Sequence, residues 1–216
     1  MNPFFRRLLD SIVVTALAAI GAQLVAQAAE PKSIVSLLRE GGYVIVMRHG
    51  GTNRDMADTD PLNLDDPGNV ARQRQLSERG RESAREVGAA FKALRIPVGE
   101  VFSSKFNRAV ETARLVSGKD ATATADITEG GLVVTTIENE RRAAALRRFA
   151  GTAPVPGANT LVVTHKPNIL DAFGKDWFEV REGEASVFRP DGNGRFELVE
   201  RVQADRWVEL AKKSGT

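Results

Sequence analysis

The apolar positions of the chain change period several times, and each change marks an element. Ile34, Val35, Leu37 and Leu38 recur at helical spacing and stop at Gly41-Gly42, which predicts a short helix ended by glycine. Tyr43-Val44-Ile45-Val46-Met47 is a continuous apolar run of the length that fills a central strand covered on both faces. Ser77 is placed to cap a helix that carries Ala84, Val87, Phe91 and Leu94 on one face, with Pro97 closing the segment. Val98 to Ser104 reads as a second strand, Asn107 to Val116 as a second helix, Ala121 to Thr128 as another strand and Glu138 to Phe149 as a third helix. Thr160 to Thr164 is a buried strand, and Ala185 to Phe188 and Phe196 to Val199 flank Pro190-Asp191-Gly192-Asn193-Gly194 as a hairpin. Strand and helix alternate from residue 43 to 174. The expected fold class is therefore α/β, in three layers, with a mostly parallel central sheet, helices on both faces and an antiparallel C-terminal hairpin.

Polar stretches separate these elements. From Thr52 to Gln75 the chain carries Pro61, Pro67, Gly68 and the aspartates Asp55, Asp58, Asp60, Asp65 and Asp66. Loops of this length are uncommon inside a domain and often functional, so it is expected beside the site as a substrate-facing insertion. Its aspartates lack the spacing of an EF-hand and read as solvated. Arg141, Arg142, Arg147 and Arg148 are expected to form the solvated face of the third helix.

The N-terminus adds a location. Arg6 and Arg7 precede an apolar run from Ile12 to Val25, and Ala26-Gln27-Ala28 follows as a small-residue cleavage site. This predicts a secretory signal peptide over residues 1–28, a mature domain over 29–216, and a periplasmic or secreted protein without stable membrane insertion once the leader is removed. The alternative is an uncleaved anchor helix, because the apolar run approaches the ~20 residues that span a bilayer.

Composition excludes several chemistries. Thirty Lys and Arg against 28 Asp and Glu leave a net charge of +2, so no global field recruits nucleic acid. The absence of cysteine excludes a disulfide, a thiolate metal site and a thiol nucleophile. With two histidines a metal site would lean on carboxylates, so neither a metal nor another cofactor is expected.

Open α/β sheets bind ligands outside the carboxyl ends of their strands. Both histidines fall there, His49 after Tyr43 to Met47 and Arg48, His165 after Leu161 to Thr164. Arg48 adjoins His49, and Arg108 lies where the second helix begins. Two guanidiniums, two imidazoles and a helix N-terminus suit a dianionic phosphoryl group, whose oxygens match guanidinium forks.

These residues also carry a resemblance. Arg48-His49-Gly50-Gly51-Thr52 resembles the R-H-G-x-T signature of the histidine phosphatase superfamily, whose fold is phosphoglycerate mutase-like. Leu76-Ser77 with Gly80 is similar to the family's L-[ST]-x-x-G helix start, and Ser103-Ser104 through Arg108-Ala109, Glu111-Thr112-Ala113 to its S-x-x-x-R-A-x-E-T-A block. Val163-Thr164-His165 with Asn168 resembles its second-histidine motif. The resemblance implies His49 as a nucleophile that is transiently phosphorylated, Arg48, Arg108 and His165 as ligands of the phosphoryl oxygens, Thr52 as a residue that helps hold the site, and no metal. Lys166 stands where the acid-phosphatase branch has aspartate, which points to the mutase and phosphatase branch and leaves the general acid to another residue. Glu129, at about the family's interval after Arg108, is the first candidate. Glu184 is its rival, expected at the pocket rim, and Asp55 stands where many mutase-like members carry asparagine. The implied activity is a metal-independent phosphomonoesterase acting on a small phosphorylated substrate, with an envelope sugar phosphate as the class suggested by bacterial envelope members. A phosphomutase and a catalytically silent phospho-ligand-binding envelope protein are the alternatives.

Overall fold

The computed structural model describes residues 32–130 and 133–214, so the leader expected over residues 1–28 lies outside the described residues. In chain order the elements are α1 (Ile34–Glu40), β1 (Val44–Arg48), α2 (Glu78–Ala93), β2 (Val98–Ser104), α3 (Asn107–Ser117), β3 (Thr122–Thr124), α4 (Thr136–Gly151), β4 (Asn159–Thr164), α5 (Lys166–Phe173), β5 (Ala185–Pro190), β6 (Phe196–Val202) and α6 (Ala204–Ser214). The strands form one sheet in the order β3-β2-β4-β1-β5-β6. β1 to β4 run parallel, and β5 and β6 add the antiparallel hairpin on the far side of β1.

Period-two alternation along the central strands sorts their side chains into two cores. Ile45, Met47, Leu161, Val163 and Val187 bury on one face with Leu38, Phe91, Val116 and Trp207. Val44, Val46, Val162 and Phe188 bury on the other with Leu146, Ile169 and Trp177. A strand buried on both faces must be apolar throughout, which is why β1 and β4 read as unbroken runs. At about 1.5–3 kcal/mol for each large apolar side chain removed from water, the central strands are the most firmly held part of the fold, and the site hangs from their ends.

Three elements differ from the pattern-based reading. The strand expected from Ala121 to Thr128 is confined to Thr122–Thr124, because its only partner, β2, ends with Ser104 opposite Thr124. The chain then turns through a 3₁₀ segment at Ala125–Ile127, which buries Ile127 completely. Helix α6 was not anticipated. It seats Trp207 edge-on against Phe91, with ring centroids 5.0 Å apart. The basic face of α4 is only partly solvated: Arg141 and Arg147 pair with Glu138 and Glu140, but Arg142 turns inward and donates to the Thr128 carbonyl at 2.8 Å. Among the described residues no helix is long and apolar enough to cross a membrane.

Candidate active site

The adjacency of β1 and β4 brings the two histidines together. Arg48 pairs with Thr164 in register, and the His49 N–H donates to the Thr164 carbonyl at 3.0 Å, so both chains leave the sheet side by side. The imidazole centroids stand 5.0 Å apart at 62°, and both rings are buried.

The His49 ring is held in one tautomer. Its Nδ1 lies 2.8 Å from the Gly50 carbonyl oxygen, which can only accept, so Nδ1 carries the hydrogen. Burial first, then His165 and the guanidiniums of Arg108 and Arg48, hold this imidazole well below its ordinary pKa. A neutral ring with its hydrogen on Nδ1 has its lone pair on Nε2, the arrangement a nucleophile needs.

The surrounding motif residues fix the loop that carries this ring. The Gly50 N–H donates to Thr112 Oγ1 at 3.1 Å, and that hydroxyl donates to the Arg108 carbonyl at 2.7 Å. The Ser77 N–H donates to the Gly51 carbonyl at 2.9 Å, while Ser77 Oγ caps α2 by accepting from the Gly80 N–H at 3.0 Å. Any Cβ at Gly80 would collide with the Gly51 backbone, so glycine is required there by close approach.

His165 is oriented from behind. Ser104 Oγ accepts from the Phe106 N–H at 3.1 Å and lies 2.7 Å from His165 Nε2, to which its own hydrogen is free to donate. Nδ1 then carries the ring hydrogen; it is buried, has no hydrogen-bond partner, and lies 3.6 Å from Glu129 Oε1. Burial, then the charges of Arg108, Arg74 and Arg48, keep this ring neutral as well.

Arg108 is fully buried at the start of α3, with its Cζ 4.0 Å from the centroid of the Phe106 ring. One Nη donates to Asp58 Oδ1 at 2.9 Å and the other to Glu129 Oε1. Arg48 donates to the Val180 carbonyl at 2.8 Å and pairs loosely with Glu182 at 3.5 Å. The Nε atoms of Arg48, Arg74 and Arg108 are buried without partners, as is His165 Nδ1. Buried polar groups are rarely left unpaired, and four unpaired nitrogens on residues of one site describe a place for an anion.

Glu129 is brought to this site. Its segment is pinned by the Lys105 N–H donating to Thr128 Oγ1 at 2.9 Å, by Thr164 Oγ1 donating to the Ile127 carbonyl at 2.6 Å, and by Asn168 and Arg142 on the Thr128 carbonyl. Beside it a cleft of about 160 Å³ opens, walled by Pro61, Leu62 and Leu64 of the insertion and by Val133 and Val134.

Glu184 is not brought to the rim. Its carboxylate is buried and accepts from Arg201 Nε at 2.6 Å, from Gln203 and from the Arg181 N–H, while its carbonyl accepts from the Arg48 N–H at 3.0 Å. The hairpin explains the difference, since β5 delivers Glu184 directly to side chains that β6 carries alongside. Thr52 forms a single antiparallel bridge with Leu76, tying the signature loop to the residue before the α2 cap. Asp55 is exposed, and Asp58 is the aspartate of the insertion that pairs with Arg108. Asp58 and Arg74 escaped sequence reasoning, and Ser104 was noted only as part of a motif.

The two histidines allow a direct check. The histidine NMR spectrum of the described domain should show two ring systems, neither titrating near 6.5 and both remaining neutral as pH falls through 6. For His49 the nitrogen shifts should report hydrogen on Nδ1. A ring that protonates near 6.5 would contradict the burial and charge described here.

A family model described as histidine phosphatase superfamily (branch 1) matches residues 44–150, the span that carries His49, Arg108 and Glu129. The chain belongs to the histidine phosphatase superfamily. Among solved structures, this superfamily member is similar to the protein histidine phosphatase SixA complexed with tungstate, at 20% identity and a TM-score of 0.52 over 76% of this chain and 97% of that one. It is also similar to a mycobacterial glucosyl-3-phosphoglycerate phosphatase with inorganic phosphate, at 18% identity and a TM-score of 0.51 over 76% and 99% of the two chains. Bacillus stearothermophilus YhfR matches at 17% identity and a TM-score of 0.51 over 73% and 95%. At these identities the likeness is one of fold. No curated protein matches the sequence significantly.

Proposed function

We propose that the chain is a metal-independent phosphomonoesterase of the mutase and phosphatase branch, which works through a phosphohistidine on His49. The observation that carries this reading is the neutral His49 ring with hydrogen on Nδ1 and a free Nε2, its centroid 5.0 Å from that of the His165 ring, in a site where Arg48, Arg108 and His165 carry unpaired donors. In the first step His49 Nε2 attacks phosphorus as the bond to the leaving oxygen breaks, and Glu129, which takes up a proton from solvent once the substrate has displaced it from Arg108, gives that proton to the leaving oxygen. In the second step water attacks phosphorus, the P–Nε2 bond breaks, and Glu129 takes the proton of the water. Charge on the transferring oxygens is met by donors fixed in advance, which is where most of the catalysis of phosphoryl transfer arises. The incoming oxygens compete with Asp58 and Glu129 for Arg108, so substrate binding frees Glu129 for proton transfer.

Supporting the branch, Lys166 sits over the Phe178 ring at 4.8 Å, where it stacks as a cation on an aromatic face. Supporting metal independence, the Asp58 and Glu129 carboxylates are both engaged by the Arg108 guanidinium. The cleft beside Glu129 is where the leaving group enters, and the substrate class is a small phosphorylated molecule such as an envelope sugar phosphate. Phosphate release from an aryl phosphate and from sugar phosphates, without added phosphoglycerate, tests the reading. Turnover only when a phosphoglycerate is added would make the protein a mutase, and no turnover on any phosphate would make it a binder.

The leader read over residues 1–28 supports a periplasmic or secreted site of action. Protein taken from its native host is expected to begin at Ala29 by mass spectrometry. An intact Met1 or Asn2 terminus would overturn cleavage at this site.

A further inference from the structure

We propose that Arg74, carried by the insertion between Thr52 and Ser77, is a third guanidinium of the phosphoryl cradle and binds the oxygens of the transferred group directly. The proposal rests on the phosphatase reading above. In the sequence Arg74 belongs to a polar run, Arg72-Gln73-Arg74-Gln75, that looks like solvated loop.

The structure fastens this run to the helix that supplies Arg108. Asn69 is fully buried and donates to the Asp60 carbonyl at 2.8 Å; Gln73, also buried, donates to Asn69 Oδ1 at 2.9 Å. Gln73 Oε1 accepts from the Asn107 N–H at 2.7 Å, and Gln75 Oε1 accepts from Asn107 Nδ2 at 2.8 Å. Asn107 immediately precedes Arg108. The main chain of Arg74 completes the join, since its N–H and Arg108 Nη1 both donate to Asp58 Oδ1 at 2.9 Å, and its carbonyl lies 3.5 Å from Arg108 Nη1.

The backbone of Arg74 is therefore committed while its guanidinium is not. Arg48 has Glu182, and Arg108 has Asp58 and Glu129, but Arg74 forms no ion pair among the described residues. Its Nε is buried without an acceptor, the same condition found at Arg48 Nε and Arg108 Nε. Its charge is also felt inside the site, where it helps hold both His165 and Arg48 below their ordinary pKa values. A buried guanidinium nitrogen without an acceptor is costly, and a bound dianion supplies the missing oxygens for all three arginines together.

The main-chain clamp survives substitution, so Arg74→Gln removes only the side-chain charge and fork. Vanadate binding measured by calorimetry should weaken roughly 10- to 100-fold in this variant, the range for a lost hydrogen bond to a charged group, and kcat/KM for an aryl phosphate should fall with it. The melting temperature should not fall below the wild-type value, because the group removed is unpaired in the free protein. Arg74→Lys should fall between, because lysine keeps the charge without the fork; it carries the comparison if the glutamine variant melts lower. Wild-type hydrolysis and vanadate binding, with both variants binding vanadate as tightly, would overturn the role of Arg74 and leave the phosphatase reading intact. A wild-type chain that neither binds vanadate nor releases phosphate would overturn both.

Discussion

His49→Ala is expected to lower phosphate release by about 10⁴-fold or more, down to the background of an enzyme stripped of its nucleophile. The expectation follows from the ring's uniqueness of role. His165 is the only other histidine in the chain, and its Nε2 is occupied by Ser104 Oγ at 2.7 Å. His165 therefore cannot present a free lone pair in the same way. The anion cradle does not depend on His49, because Arg48 is held by the Val180 carbonyl and Arg108 by Asp58 and Glu129. The alanine variant should thus still bind vanadate while turning over almost nothing. Steady-state phosphate release alongside calorimetry checks both halves, and a variant retaining a tenth of wild-type turnover would rule out nucleophilic attack by His49.

Glu129→Gln should separate substrates by their leaving groups. A sugar or alkyl alkoxide needs a proton as it departs, whereas an acidic phenol leaves without one. The loss should be about 10²-fold or more with a sugar phosphate and much smaller with an activated aryl phosphate. Glutamine keeps an oxygen for Arg108, so the cradle persists and the difference reports the proton. Glu184→Gln should lower the melting temperature instead, since it weakens a buried carboxylate that holds Arg201 and Gln203, and should slow all substrates alike. Kinetics of the two variants on matched alkyl and aryl phosphates decide the matter. If leaving-group sensitivity appears in Glu184→Gln and not in Glu129→Gln, the proton comes by another route.

The contrast between Glu129 and Glu184 also shows where sequence reading reaches its limit. Strands β1 and β4 were legible because burial on both faces leaves only apolar residues, and each run ended at a histidine. Those two facts were enough to place His49 and His165 at the carboxyl ends of the strands, on one side of the sheet. Glu184 was misplaced because its environment is set by cross-strand pairing of β5 with β6, where Ala185 lies opposite Val202, and nothing within the local sequence announces that partner. Arg74 and Asp58 were illegible for a related reason. The network that orders their segment joins Asn69 and Gln73 to Asn107, 34 residues further on, and such buried polar residues have the composition of a solvated loop. The shortening of β3 followed from the length of its neighbour, a property that period-two alternation does not carry. Helix α6 was detectable in principle, since Trp207, Leu210 and Ala211 lie at helical spacing and pack with the core beneath α2.

The most direct test of the central claim is to quench the enzyme during turnover and locate the phosphoryl group by mass spectrometry. The expected result is an acid-labile, alkali-stable phosphohistidine on the peptide that contains His49, absent from His49→Ala. A label that maps to His165, or that persists in the His49 variant, would contradict the mechanism.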